Sequence, residues 1–128
     1  MSSKILTVDD SKMVRMIVAK TFRPYGCEVF EAANGADALA LAPAILPDLI
    51  FLDITMADMN GLVVLELFRK IETLMTTPVV MLSAESGNNS IERADRSNVA
   101  GYIAKPFKGE QLLAVAGQLI PLQPFVTP

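Results

Sequence analysis

Leu49-Ile50-Phe51-Leu52-Asp53 is a row of four apolar side chains closed by an acid. A strand with one wet face alternates apolar and polar residues, whereas one that is apolar throughout is covered on both faces, as in the middle of a parallel sheet. Two comparable runs lie either side of it in the chain. Lys4–Val8 ends at Asp9-Asp10, and Pro78–Ser83 ends at a hydroxyl. Cys27–Ala32 and Val99–Ala104 read as two further strands, the former richer in β formers.

Helical patterns separate these runs. Val14, Ile17, Val18 and Phe22 repeat at helical spacing, Asp10 or Ser11 is placed to cap them, and Pro24-Tyr25-Gly26 stops the helix. Asn34-Gly35 turns into a helix carrying Ala38, Leu39, Leu41 and Ala42, which Pro43 should leave short or kinked. Asn60-Gly61 opens a third helix, with Leu62, Leu65, Phe68 and Ile71 on one side. Asn88–Ser97 is polar and predicts a marginal fourth helix. Lys108–Ile120 predicts a final one, and the tail Pro121–Pro128, with three prolines, is not helical. Five repeats of strand then helix imply an α/β fold: parallel strands, right-handed crossovers and helices on both faces.

Composition narrows the function. The 128 residues fit one domain over 1–128, with a core over 4–120 and a proline-rich tail over 121–128. A hydrophobic content of 52% and a mean hydropathy of +0.40 suit a sheet buried on both sides. The net charge of −3 and the lack of a basic run argue against nucleic acid as a partner. The most apolar stretch, Ala38–Ile54, is broken by Pro43, Pro47, Asp48 and Asp53, so no membrane span is expected. No signal peptide is visible, and the single cysteine, Cys27, reads as a small buried hydrophobe in a reducing compartment. A cytoplasmic monomer is the expectation. The absence of histidine excludes phosphotransfer through a histidine of this chain, Ser/His/Asp catalysis and His-ligated zinc.

In open parallel sheets, ligands bind at the carboxyl ends of the strands where the strand order reverses. Asp9 and Asp10 close the first strand, Asp53 the third, Ser83 the fourth, and Lys105 the fifth. If strands one and three are neighbours, three carboxylates converge in one crevice. Unpaired, they repel and raise each other's pKa values. A hard divalent cation such as Mg²⁺ resolves the conflict, taking one or two carboxylates plus waters and phosphate oxygens. A carboxylate beside a divalent cation and an ammonium can act as a nucleophile toward phosphorus, and a hydroxyl such as Ser83 can hydrogen-bond the transferred group. Each residue also has a plain reading, as helix cap, turn residue or solvated charge. Those readings do not explain why all five stand at strand carboxyl ends.

These residues resemble the response-regulator receiver family over Lys4 to about Ile120. The matching set is Asp9-Asp10, Asp53, Met56, Gly61, Ser83-Ala84 and Gly101-Tyr102-Ile103-Ala104-Lys105-Pro106-Phe107. The resemblance implies a flavodoxin-like fold, with a five-stranded parallel sheet in the order 2-1-3-4-5 and five helices. It implies a phosphoacceptor role for Asp53, with Lys105 pairing first with the aspartate and then with the phosphoryl group. Asp10, Asp53 and the backbone carbonyl of Thr55 would ligate Mg²⁺, and Asp9 would assist through water. The peptide before the matching proline is usually cis in this family. Ser83 and Tyr102 would form the switch pair, the hydroxyl moving to the phosphoryl oxygens and the ring changing rotamer. Two positions depart from the common pattern: Ala57 stands where proline is usual, and Asn60 where aspartate is usual. They bear on the rigidity of the loop after Asp53. Thr55 and Glu85 sit where members of the family tune the lifetime of the phosphoryl group.

The function this implies is a stand-alone phosphoacceptor switch in two-component signal transduction, not a turnover enzyme. A sensor histidine kinase or phosphotransfer protein would donate, and a downstream protein would bind near Ile91, Tyr102 and Lys108. Alternatives are a receiver cut from a longer regulator, a pseudo-receiver, and an aspartate-dependent phosphohydrolase. The last needs a second acid two residues after the nucleophile, where this chain has Thr55.

Overall fold

In the computed structural model, residues 3–83 and 99–122 are described. Five strands, β1 (Lys4–Val8), β2 (Glu28–Ala32), β3 (Leu49–Asp53), β4 (Val79–Ser83) and β5 (Gly101–Ala104), pair in parallel in the order β2-β1-β3-β4-β5. Four α-helices lie among the described residues: α1 (Lys12–Phe22), α2 (Gly35–Ile45), α3 (Gly61–Arg69) and α4 (Gly109–Ala116). The predicted helix over Asn88–Ser97 falls outside the described residues. No helix among those described is long and apolar enough to cross a membrane.

Alternation along the strands explains the layers. Leu49 and Phe51 face one way, into a cluster with Val18 and Phe22 of α1 and Leu112 and Ala116 of α4. Ile50 and Leu52 face the other, against Ala38 and Ala42 of α2 and Val64, Leu65 and Phe68 of α3. All five residues of β3 and all five of β4 are buried, as continuous apolar runs require in a sheet sandwiched between helices. Cys27 is buried among the α1-side residues, just before β2. The edge strand β2 carries Glu28 and Glu31 outward, which keeps its open edge soluble.

Local signals account for the helix ends. Ser11, not Asp10, caps α1: its Oγ accepts from the Val14 N–H at 3.3 Å. Asn34 caps α2 through the Asp37 N–H at 2.8 Å, and Asn60 caps α3 through the Leu62 N–H at 2.7 Å. Two expectations need correction. Pro43 does not cut α2 short, because the helix runs on to Ile45. The proline sits in its last turn and removes one donor, and the chain leaves through Leu46 at φ 53° with the Leu46 N–H on Ala42 O at 2.9 Å. The last helix stops at Ala116 rather than Ile120. Apolar spacing continues because Ile120, reached through a turn after Gly117, fills the same α1-side cluster.

The chain moves outward from β1 to β2 and then returns to β3 on the other side of β1. The reversal opens a crevice between the carboxyl ends of β1 and β3.

Candidate functional site

Register fills that crevice. Val8 pairs with Leu52, so Asp9 and Asp53 emerge side by side, and Asp10 follows. Oxygen atoms of Asp9, Asp10 and Asp53 all lie within 4.8 Å of one another. Asp9 is fully buried, Asp53 is 2% exposed, and Asp10 opens to solvent. On the other flank, Ser83 pairs with Ala104, and the Lys105 N–H donates to Ser83 O, so the β5 end carries Lys105 to the crevice. The Lys105 ammonium lies 2.8 Å from Asp9 Oδ2 and 3.2 Å from Asp53 Oδ1. The Lys105–Pro106 peptide is cis.

The charges do not balance, since one ammonium faces three carboxylates. Burial, and next the neighbouring Asp9 charge, push the Asp53 carboxyl up to about 6; Lys105 and the Thr55 N–H act against this without cancelling it. Burial alone would lower the Lys105 pKa, but hydrogen bonding to Asp9 and the Asp53 and Asp9 charges together hold it above the usual lysine value. Residual negative charge, carboxylate oxygens from two strand ends and an opening at Asp10 suit a hard divalent cation. Asp9, Asp10 and Asp53 are therefore residues that could hold Mg²⁺.

Thr55 lies exposed on the rim and donates its N–H to Asp53 Oδ1 at 3.3 Å. Ser83 is 5% exposed at the end of β4. Tyr102 is half-buried one strand over and packs against the α2/α3-side cluster. Lys108 is exposed just before α4. Glu85 and Ile91 fall outside the described residues.

The contacts made by Arg15, by the Ser11 N–H and by Asp58 had no counterpart in the sequence reading. Arg15, one turn into α1, donates from Nη1 to the Asp9 carbonyl at 2.7 Å and from Nε to Glu31 Oε1 at 3.1 Å. The Asp9 N–H in turn donates to Ala32 O at 3.0 Å. The backbone of the acid pair is thus tied on one side to β2 and on the other to α1. Ser11 N–H reaches Asp9 Oδ1 at 2.9 Å, which fixes the buried carboxylate from its own side of the chain. Asp58 engages the start of α2 through the Gly35 and Ala36 N–H groups. Sequence pattern gave no cue to Arg15 beyond its place shortly after the acid pair.

The family model for the response regulator receiver domain matches residues 5–116, and the chain belongs to that family. Protein PilG of Pseudomonas aeruginosa is 32% identical over 118 residues, covering 92% of this chain and 87% of PilG. The regulatory protein AtoC of Escherichia coli is 34% identical over 121 residues, 94% of this chain but 26% of that longer protein. Among solved structures, the chemotaxis protein CheY4 of Vibrio cholerae superimposes with a TM-score of 0.87 at 32% identity, over 94% of this chain and 100% of CheY4. The chain is the receiver domain of a two-component response regulator.

Proposed function

We propose that Asp53 accepts a phosphoryl group from a phosphohistidine on a sensor kinase or phosphotransfer protein, with Mg²⁺ bound beside it, and that this changes binding to a downstream protein in the cytoplasm. The observation that carries the reading is Asp53 itself: a buried carboxylate at a strand end, clustered with Asp9 and Asp10 and paired with Lys105. Asp10, Asp53 and the Thr55 carbonyl would hold the cation, and Asp9 would assist from behind them. When bound, Mg²⁺ neutralises charge on the transferring phosphoryl oxygens.

A carboxylate oxygen of Asp53 forms the new P–O bond as the donor's P–N bond breaks and its electron pair returns to the imidazole. No general base is needed, since a carboxyl titrating near 6 is mostly ionised at neutral pH. Lys105 follows the charge from carboxylate to phosphoryl oxygens, and the Ser83 hydroxyl donates to one of them. The new charge of about −1.5 to −2 biases the loop after β4, and Tyr102 turns inward in response. The downstream partner binds near Ile91, Tyr102 and Lys108. The chain releases its own phosphoryl group slowly and turns over no external substrate.

A protein donor has to lie against the rim beside Lys105. The groove there is lined by Met13, Val14, Ile17, Pro106 and Phe107, and Met13 is 71% exposed. Apolar surface of that kind beside a charged pocket suits a partner protein.

The test is mapping of the label left by a small phosphodonor in Mg²⁺. We expect wild-type chain to be labelled on Asp53 and Asp53→Asn to take no label; undiminished labelling of that variant would move the acceptor elsewhere. Met13→Glu should slow transfer from a protein donor while sparing the small one.

A further inference from the structure

The segment Asp53–Gly61 carries the chain from β3 into α3 and takes Thr55 past the acid cluster. Its ends are fastened to each other. The Gly61 N–H donates to Ile54 O at 2.7 Å, and a Cβ on Gly61 would collide with the carbonyl oxygen of Asp53, so only glycine lets the strand and helix approach so closely. No backbone–backbone hydrogen bond ties residues 55–59 to either end. Ala57 stands where the family commonly has proline, whose ring would fix one φ angle.

The middle is held from another element. The Asp58 carboxylate reaches α2, where Oδ1 accepts from the Gly35 N–H at 3.0 Å and Oδ2 from the Ala36 N–H at 3.1 Å. The first N–H groups of a helix have no partner within it, and that end of the helix favours an anion. The contact is tight enough that the Gly35 N–H holds the Asp58 carboxyl below the usual carboxylate range. Gly35 permits the approach: a Cβ there would sit 2.5 Å from Met59 Cγ and 2.8 Å from its sulfur. Asn34 already caps the same helix through Asp37, so α2 does not depend on Asp58 for its start.

We propose that Asp58 is a positioning residue, a clamp that anchors the loop after Asp53 to α2 and so fixes Asp53 and Thr55 in the arrangement that takes the cation. It touches neither cation nor phosphoryl group; it acts through the loop, in the place where a proline ring would otherwise stiffen it. The inference rests on the phosphoacceptor reading above.

Mg²⁺ titrations of the metal-free protein test it, without phosphodonor, on wild type, Asp58→Ala, Asp58→Asn, Asn34→Ala and Asp53→Asn. Exchange of the Gly35 and Ala36 amides with solvent is followed in parallel. We expect Asp58→Ala to free both amides and weaken Mg²⁺ by about tenfold, the low end of the cost of losing an outer partner of a metal ligand. Asp58→Asn, which keeps one accepting oxygen, should fall between. Asn34→Ala removes a cap from the same helix without releasing the loop, so it should lower stability and leave Mg²⁺ affinity unchanged. Wild-type affinity in Asp58→Ala, or an equal loss in Asn34→Ala, would overturn the clamp. If Asp53→Asn bound Mg²⁺ as well as wild type, the underlying site assignment would fail instead.

Discussion

The first four residues of β3 and its fifth belong to one strand, are equally hidden from water, and act on stability in opposite directions. Leu49, Ile50, Phe51 and Leu52 are fully buried between two helical layers, each apolar side chain contributing about 1.5–3 kcal/mol of transfer free energy. Asp53 is 2% exposed, and its charge is penalised by that burial and by Asp9. The strand interior is built for the fold, and its last residue is built against it. Unbalanced negative charge kept where water cannot relieve it is the kind of perturbation that concentrates at functional sites.

The largest expected effect lies on the apolar side. Phe51→Ala should cost about 3–5 kcal/mol in denaturant unfolding, because Phe51 is fully buried and packs on Phe22 with ring centroids 5.5 Å apart. A loss near that of an exposed residue would mean the α1-side cluster is not a packed core. On the charged side, one position away along the chain after Leu52, the sign should reverse. Asp53→Asn should stabilise the metal-free protein at neutral pH by about 1–3 kcal/mol, since burial pushes its carboxyl from 3.8 up to about 6 and so penalises the charged form.

The pH dependence sharpens the same contrast. A carboxyl raised from 3.8 to about 6 leaves the folded state holding more protons than the unfolded one between those values. Unfolding free energy of the metal-free chain should therefore fall as pH rises from about 4 to about 6, opposite to an ordinary salt-bridged acid. In Asp53→Asn that downward slope should be absent, and its persistence would assign the slope to another group. Lys105 contributes at the other extreme. Its raised pKa adds stability that is present below the ordinary 10.5 and lost only as pH climbs through the higher folded value. The smallest effect is expected at Asn60, where the cap has no part in the charge. Asn60→Ala should cost about 1 kcal/mol in thermal unfolding and leave the slope with pH intact.

The two kinds of region also differ in how far sequence reveals them. The sheet was legible because burial on both faces writes itself as unbroken apolar runs, and the site because acids, a hydroxyl and a lysine coincide at the ends of those runs. The order of the strands came from family resemblance, since apolar runs carry no information about which neighbours pair. Arg15 and Asp58 were not legible. Their partners, Glu31 and the Gly35 and Ala36 amides, are 16, 23 and 22 residues away, and polar contacts between elements leave no period behind. Pro43 misled for a different reason: it costs the helix one hydrogen bond to the preceding turn, but only Ala44 and Ile45 follow it, so little helix is left to break.

The decisive measurement is unfolding free energy at neutral pH with and without millimolar Mg²⁺, for wild type, Asp10→Asn and Asp53→Asn. One shared pocket formed by Asp9, Asp10 and Asp53 requires Mg²⁺ to stabilise the wild type and to lose most of that effect in both variants. Equal stabilisation of all three proteins by Mg²⁺ would contradict it.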